Sequence, residues 1–546
     1  MDATLSFLLY GLILVASLTA AWRAWQRLRF FLHMMQLETY KPPRFAAWLS
    51  ARVRSLIRVS HGLGAVLLAA SALFPGAGAQ SIVALGWSIA FASSRHYQGF
   101  QVKKPIVFTA RMKRLAGAAI GLGLLPVLAG GIVAWTSAPG TRLPVYLPVY
   151  LGGWLIADLL APLWVLLGAY IMLPVERALQ NRFKKQAQDT LKNRQDLQVI
   201  AVTGSYGKTS VKFIVAEILR QRFNVLATPG SYNTPMGICL VVNNQLKPEH
   251  QMLVLEMGMR YRGDIRELCQ IAAPDLGIVT AVGPAHLETM GSIEAIALEK
   301  GDLLEGLKPG GVSVLNADDP RVEAMASRAP GKVWRVSTEG AAGADIAAHD
   351  IAYGPDGVSF TVRDETGAEH AFSARLLGKH NVLNILLGVA VGRQYGLRLR
   401  QIAHAVARLE PIEHRLQLRR TGTYTIIDDA FNANPVGARH AVEVLGAFTG
   451  GKRAIVTPGM VELGPRQEEE NRILGECIAG HADLALLIGR EQTRPIQEGL
   501  RGKQFPEDRI LVFDSFFDAR TYLDTHLQQG DTVLFENDLP DQYNAR

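Results

Sequence analysis

Apolar residues are spread very unevenly along the 546 residues of this chain. The first third holds nearly all the long apolar runs, and the rest mixes short hydrophobic and polar stretches as globular domains do. Five runs read as membrane spans: Leu5–Ala24, His61–Phe74, Ser81–Ser94, Leu115–Thr136 and Leu147–Met172. A spanning helix needs about 20 apolar residues, so the second and third are short and must recruit flanking positions. Pro75 and Gly76 between them predict a tight turn, and therefore a hairpin that is either spanning or re-entrant. Residues 176–197 then read as a basic amphipathic helix or linker along the inner membrane surface.

At Gln198 the pattern changes. Gln198–Thr203 (QVIAVT) is a short β-branched run that predicts a buried strand, followed by a glycine loop and a helical pattern to about Gln221. Further on, Tyr424–Asp428, Arg453–Thr457, Leu484–Ile488, Ile510–Phe513 and Thr532–Phe535 predict strands separated by amphipathic stretches. That rhythm predicts a small doubly wound domain. The expected organisation is an α-helical transmembrane domain over 1–175, the linker over 176–197, and then α/β structure. The α/β part is expected as a central nucleotide-binding domain over 198–412 and a Rossmann-like C-terminal domain over 413–546.

Charge adds an orientation. A formal net charge of +8 would often suggest nucleic acid. Here the excess flanks the apolar runs, at Arg23, Arg27, Arg29, Lys103, Lys104, Arg111, Lys113, Arg114, Arg182, Lys184 and Lys185, which fits a membrane and no nucleic acid. The loop from Arg23 to Arg58 and the loop from Arg95 to Arg114 are basic. Residues 75–80 carry no lysine or arginine, and the stretch near Pro139–Pro148 has only Arg142. Basic loops stay cytoplasmic, so the N-terminus is expected outside and everything after the fifth span inside. No basic region precedes the first run, which argues against a cleaved signal peptide. Asp158 falls within the fifth span, where a carboxylate is costly unless protonated or paired; a functional role and a structural pairing both remain open. Cys239, Cys269 and Cys477 form no CxxC pair and read as reduced core residues.

The candidate chemistry starts at Gly204-Ser205-Tyr206-Gly207-Lys208-Thr209-Ser210. Strand, glycine loop and helix in that order make a phosphate cradle, in which backbone N–H groups and a helix N-terminus face the anion. Lys208 would reach the outer phosphates and the Thr209 hydroxyl would hold Mg²⁺. The generic spacing also wants glycine at position 202, which is Val202 here, so a structural turn with an incidental lysine is the other reading.

The contracted pattern Thr-Gly-x-x-Gly-Lys-Thr/Ser resembles the nucleotide loop of the Mur ligase family of bacterial cell-wall synthesis, and further motifs follow in register. Asn233-Thr234-Pro235-Met236-Gly237 looks like the family's Asn-Thr-Pro segment. Leu253–Gly258 (LVLEMG) is similar to its strand ending in a magnesium-binding glutamate, here Glu256. Val282–Leu287 (VGPAHL) resembles the loop presenting a second-metal histidine, here His286. Glu299-Lys300-Gly301 matches the place where the family carries a carbamylated lysine. Asn316-Ala317-Asp318-Asp319-Pro320 and Gly378-Lys379-His380-Asn381 with Asn384 look like nucleotide-domain motifs, the latter near the adenine. His414-Arg415 fits the arginine that opens the C-terminal domain, and Asp428–Pro435 (DDAFNANP) resembles its Asp-Asp-Ser-Tyr-Asn-Ala-Asn-Pro loop. The likeness runs from Gln198 to the C-terminus. Singly, such residues are more often structural; the set in register carries the resemblance.

The resemblance implies a Mur-type P-loop ATPase domain with a Rossmann-like partner, acting as an ATP-dependent carboxylate–amine ligase through an acyl phosphate. Gly204, Ser205, Tyr206, Gly207, Lys208, Thr209, Ser210, Asn381, Asn384, Arg415 and Asp429 would bind ATP. Thr209 and Glu256 would hold one Mg²⁺, and His286 with a carbamylated Lys300 a second. Lys208, His286, Lys300 and Arg415 would carry catalysis, while Asn233, Thr234, Asn432 and Asn434 would meet substrate. Phosphoryl transfer is largely positioning and charge neutralisation, which this set suits. Closure of the C-terminal domain would keep water from the acyl phosphate.

Within the family, Met460-Val461-Glu462-Leu463-Gly464 and the Asn-Ala-Asn-Pro loop look most like members that add D-alanyl-D-alanine to UDP-N-acetylmuramoyl-tripeptide. Three places depart from them. Apolar spans and a basic linker stand where soluble members grip the UDP-sugar. Gly459 replaces an acidic residue. Glu536-Asn537-Asp538-Leu539-Pro540-Asp541 replaces a lysine- and serine-rich loop. An acidic loop there suits a cationic group better than a carboxylate terminus, a solvated acidic tail being the other reading. The expected enzyme is thus a multi-pass protein of the bacterial plasma membrane with cytoplasmic catalytic domains. Its expected partners are membrane lipids, a cell-wall precursor that is lipid-linked, an amino-acid or dipeptide amine, and a cell-wall synthesis complex. Three alternatives stay open: D-alanyl-D-alanine addition to the UDP-linked tripeptide with the spans as anchor, a membrane amino-acid polymer ligase, and a nucleotide-sensing membrane scaffold or transporter. Against the last, the chain shows no internal repeat.

Overall fold

The apolar runs of the first third fold as helices over Ala3–Leu37, Pro42–Ser50, Val59–Leu73, Ala77–Ser93, Ala110–Thr136, Leu143–Leu159 and Ala161–Lys192. The computed structural model describes residues 3–52, 57–74, 76–93, 105–136, 143–420, 422–431, 433–461 and 463–537. The described residues divide into one unit up to Gln180 and another from Asn181 onward.

Among the described residues, three helical stretches are long and apolar enough to cross a membrane: Phe7–Leu37, Ala110–Thr136 and Ala161–Lys192. Val59–Leu73, Ala77–Ala92 and Leu147–Leu159 are shorter apolar helices. The first predicted span therefore lies inside a longer helix, because no glycine or proline interrupts residues 25–37. The fifth, Leu147–Met172, is corrected to parts of two helices that meet at Leu160. Pro162 lacks the N–H that would bond back to Asp158, and the Trp164 indole instead donates to Ala157 O at 3.1 Å.

Asp158 is paired rather than solvated. Its Oδ2 accepts from Arg23 Nε at 2.9 Å and lies 2.9 Å from His61 Nε2. Arg23 also donates to Ser60 Oγ at 2.7 Å and stacks over Phe91. Three helices are thus tied together by one buried carboxylate.

Of the two readings of 176–197, a basic amphipathic helix or a linker, the structure has the helix: Ala161–Lys192 continues through most of it. From Asn181 onward this helix belongs to the second unit, where Phe183, Ala187 and Leu191 pack into the same core as Val199, Leu253 and Leu255. The apolar face of the amphipathic pattern is covered by protein.

The second unit holds two sheets. The larger comprises β1 (Gln198–Thr203), β2 (Val225–Ala227), β3 (Met252–Glu256), β4 (Leu276–Val279), β5 (Val312–Asn316), β6 (Val333–Ser337), β7 (Ile346–Gly354), β8 (Gly357–Arg363) and β9 (Glu369–Ala374), in the order β2-β3-β1-β4-β5-β6-β7-β8-β9. Strands β1–β6 run parallel, and β7–β9 form an antiparallel extension. The parallel strands read as continuous apolar runs because both of their faces are covered. The second sheet comprises β10 (Gln417–Arg420), β11 (Thr425–Asp429), β12 (Arg453–Thr457), β13 (Leu484–Ile488), β14 (Ile510–Phe513) and β15 (Thr532–Glu536), ordered β10-β11-β15-β12-β13-β14. Only β10 is antiparallel, and it escaped sequence reading because QLRR is polar on a sheet edge.

Candidate active site

Strand β1 ends at Thr203, and the chain turns through Gly204–Gly207 into helix Lys208–Leu219. Gly207 has φ +75°, and a Cβ there would lie 2.6 Å from Asn384 Oδ1, so glycine is needed for conformation and for clearance. Asn384 in turn donates to Asn381 Oδ1 at 3.1 Å, and Asn381 to Leu377 O at 2.8 Å. Both predicted asparagines therefore support the loop from beneath.

The loop is also held from the β4 side. Ser205 N donates to Ala281 O at 2.7 Å, and Gly283 N donates to Ser205 Oγ at 2.9 Å. Thr280 Oγ1 donates to Tyr206 O. Asn316 Nδ2 reaches Thr280 O at 3.1 Å, and Asp319 Oδ2 accepts from Val282 N at 2.8 Å. The Asn-Ala-Asp-Asp-Pro motif thus fastens the segment that fastens the phosphate cradle.

Lys208 Nζ donates to Gly204 O at 2.8 Å, which sets its charge over the loop. Burial pushes this ammonium below the ordinary lysine range, and the Glu256 carboxylate opposes that. Thr209 Oγ1 donates to Glu256 Oε2 at 2.8 Å, and Asn233 Nδ2 donates to Glu256 Oε1 at 3.0 Å. Lys212, one turn beyond Lys208, was missed from sequence. Its Nζ lies 3.7 Å from Glu256 Oε2 and donates to Gly230 O. It is fully buried, and burial pushes its pKa down to about 8. The available signal was a lysine at i+4 from Lys208, hence on the same helical face.

The C-terminal domain delivers Arg415 to this cluster. Its Nη2 sits 3.2 Å from Thr209 Oγ1, with the guanidinium 4.7 Å from the Phe431 ring centre. The flanking residues His414 and Leu416 have φ +59° and +46°, left-handed values that L side chains rarely adopt and that sharpen the turn presenting Arg415. Leu416 N donates to Asp429 Oδ1 at 3.1 Å, locking that turn to the end of β11.

His286 and Lys300 form the other side. His286 has φ +63°, and burial, followed by the Lys208 and Lys300 charges, pushes its pKa down to about 4. It is therefore neutral near pH 7, with a ring nitrogen lone pair open to a metal. Lys300 is 2% exposed and enters no hydrogen bond or ion pair among the described residues. Burial and then the nearby Lys208 charge lower its pKa well below the lysine range.

Two predicted substrate residues also cap helices: Thr234 Oγ1 accepts from Gly237 N at 3.2 Å and Asn434 Oδ1 from Gly437 N at 2.8 Å. Ser210 is half-buried in the first turn of its helix, and Asn432 lies outside the described residues. Glu299 accepts from Gly263 N and Ile265 N, both at 2.8 Å, and so caps the helix Asp264–Ala272.

Among the described residues, no three His, Cys, Asp or Glu side chains group as a metal cage. The donors fit Mg²⁺ all the same, since that ion keeps several waters and takes one or two protein ligands plus phosphate oxygens. Thr209 and Glu256 supply such a pair. His286 beside Lys300 fits a second ion only if the lysine is no longer cationic.

The Mur ligase middle domain matches residues 202–392, and the Mur ligase glutamate ligase domain matches 414–536. The chain is 32% identical over 343 residues to the UDP-N-acetylmuramoyl-tripeptide--D-alanyl-D-alanine ligase of Bacillus subtilis, covering 62% of this chain and 72% of that one. It is 32% identical over 321 residues to the Escherichia coli protein of the same name, covering 58% and 70% respectively. The MurF ligase structure from Thermotoga maritima in complex with ADP superposes with a TM-score of 0.59 at 28% identity, over 67% of this chain and 82% of that one.

Proposed function

The chain belongs to the Mur ligase family of ATP-dependent amide-forming ligases, and from that premise we propose that it couples an amine to a cell-wall precursor at the inner face of a bacterial membrane. One observation carries the reading: Arg415 of the C-terminal domain meets Thr209 of the phosphate loop, which itself bonds Glu256. The two domains thereby bring a cation, a hydroxyl and a carboxylate to the place where a phosphoryl group would transfer.

In the proposed reaction the loop N–H groups and Lys208 hold the phosphates of ATP. Thr209 and Glu256 would hold Mg²⁺, which when bound neutralises charge on the transferring group. The substrate carboxylate takes up the phosphoryl group to give an acyl phosphate, and Arg415 offsets the negative charge that develops. The amine then attacks the acyl carbon and phosphate leaves. Lys212 keeps Glu256 and the Gly230 backbone in place throughout.

Lys300 would act as a carbamate. Burial and the nearby Lys208 charge favour the uncharged amine of Lys300, which is the form that reacts with carbon dioxide, and the product beside His286 is an anionic oxygen ligand. Stripping bicarbonate from the protein is expected to lower its activity at least about tenfold, with recovery on adding it back. Activity indifferent to bicarbonate, together with an unmodified lysine in the intact-protein mass spectrum, would remove Lys300 from the metal site.

The relatives act, by name, on UDP-N-acetylmuramoyl-tripeptide and D-alanyl-D-alanine. For this chain we favour a lipid-linked acceptor. Large apolar side chains such as Leu18, Ile82, Ile89, Leu128 and Ile132 point outward from the first unit, as lipid-facing positions do. The test is ADP release by the full-length protein in lipid nanodiscs, with lipid-linked and UDP-linked muramoyl peptides offered in parallel. Turnover with the lipid-linked acceptor alone supports the proposal. Equal turnover with the UDP-linked peptide by a variant lacking residues 1–175 reduces the helices to an anchor.

A further inference from the structure

Helix Pro235–Gln245 buries Ile238, Cys239, Val241 and Val242, and it leaves an apolar face uncovered on another side. Leu240 on that face is 41% exposed, and Met236, one turn earlier, is half-buried. Tyr232 is 47% exposed and folds back on the first turn, where a Cβ on Gly237 would lie 3.4 Å from the Tyr232 Cβ. A tyrosine and two long apolar side chains thus stand together on the surface of the second unit.

Helix Ala161–Lys192 gives this face a direction. Asn243 Nδ2 donates to Phe183 O at 3.0 Å. Met236 and Leu240, seven and three residues earlier, lie on the same side of their helix as Asn243. Further along, Arg194 donates to Lys247 O, Pro248 O and His250 O. Phe183 and Arg194 therefore meet Asn243 and the 247–250 segment in chain order, and the two stretches run in the same sense. Going back from Asn243 to Tyr232 follows the long helix back toward its apolar, membrane-crossing part. Phe183 lies eleven residues beyond Met172, about 16 Å at the helical rise, and Asn243 lies eight residues beyond Pro235, about 12 Å. Tyr232 and Met236 thereby approach the level at which the apolar part ends.

Charge agrees with that level. Residues 177–185 carry Arg177, Arg182, Lys184 and Lys185 and no acid, and Arg177, Arg182 and Lys185 are exposed. Basic side chains just inside a span are drawn to anionic lipid headgroups.

We propose that the face formed by Tyr232, Met236 and Leu240, together with Arg177, Arg182 and Lys185, docks on the anionic surface of the bilayer. The apolar side chains enter the headgroup layer and the basic ones meet lipid phosphates. Tyr232 adjoins Asn233, which donates to Glu256 at 3.0 Å, so docking holds the mouth of the phosphate site where a lipid-linked acceptor presents its carboxyl. This rests on the membrane placement of the first unit, and the experiment separates the two.

Full-length protein, one copy per nanodisc, carries an environment-sensitive fluorophore on a single introduced cysteine. Cys239 and Cys269 are buried, and protein with no introduced cysteine supplies the blank for half-buried Cys477. Leu240→Cys is compared with Tyr353→Cys, exposed on β7 across the sheet, and with Leu128→Cys, exposed on helix Ala110–Thr136. Discs contain phosphatidylcholine with or without phosphatidylglycerol, and nitroxide lipids are the quenchers.

With phosphatidylglycerol, quenching at Leu240 should be at least about threefold that at Tyr353. It should weaken in phosphatidylcholine alone and in Arg182→Gln/Lys185→Gln. Quenching at Leu128, with Leu240 quenched no more than Tyr353, overturns the docking surface and leaves the membrane placement standing. A blue shift at Leu240 without nitroxide quenching does the same, since protein then covers the face. Quenching at Leu240 that ignores both phosphatidylglycerol and the double substitution overturns the anionic partner. Absence of quenching at Leu128 overturns the membrane placement and the surface with it.

Discussion

Replacing Lys208 with alanine is expected to lower ADP formation by about two to three orders of magnitude, the usual loss when one preorganised charge is removed from a transition state. The side chain is well placed for that role. It is half-buried, it rests on the Gly204 carbonyl at the loop mouth, and it sits within electrostatic reach of Glu256, Arg415, His286 and Lys300. Its loss should spare the fold, because the loop is fixed independently through Ser205, Thr280 and the Asn384 contact beneath Gly207. Steady-state ADP release and thermal unfolding of the two proteins would be measured side by side. A loss below fivefold with an unchanged unfolding temperature would show that the loop does not hold the transferring phosphate.

Asp158→Ala should have its effect on stability. Removing one partner from a buried charged cluster typically costs about 3–5 kcal/mol, because the remaining charge keeps its desolvation penalty and loses its compensation. Here the carboxylate serves both Arg23 and His61, on the helices Ala3–Leu37 and Val59–Leu73. Unfolding of the detergent-solubilised protein would be compared for Asp158→Ala and for the double variant Arg23→Leu/Asp158→Leu. The double variant should recover part of the loss, since an apolar pair carries no buried charge. If Asp158→Ala unfolds within 1 kcal/mol of the parent ( sets that scale for ordinary substitutions), the cluster is not what ties the three helices.

Much of the nucleotide site was legible because its chemistry is local in the chain. The strand, the glycine turn and Lys208-Thr209 occupy adjacent positions, and the required φ at Gly207 is written in the residue itself. The same local logic marked all five parallel strands of the second sheet to within a residue of their ends, and β12, β13 and β14 at their observed bounds. Lys212 was not legible: a lysine in an apolar helical pattern looks like a solvated position until the fold buries it against Glu256 and Gly230. The caps at Thr234 and Asn434 are local signals too, since Ser, Thr, Asn and Asp before Pro at a helix start commonly act as caps.

The apolar first third, the phosphate cradle, the parallel-strand rhythm and the resemblance that runs through them are legible along the chain, since each depends on residues near one another in it. Tertiary structure decided what depends on distant partners. It paired Asp158 with Arg23 and His61 across more than one helix, and it set the apolar face of residues 181–192 against a protein core. It also carried Arg415 to Thr209 and set Glu536 beside Asp429. Burial and charge proximity are properties of the folded neighbourhood, and whether a given lysine or carboxyl is solvated, paired or stranded is settled only when the chain closes around it.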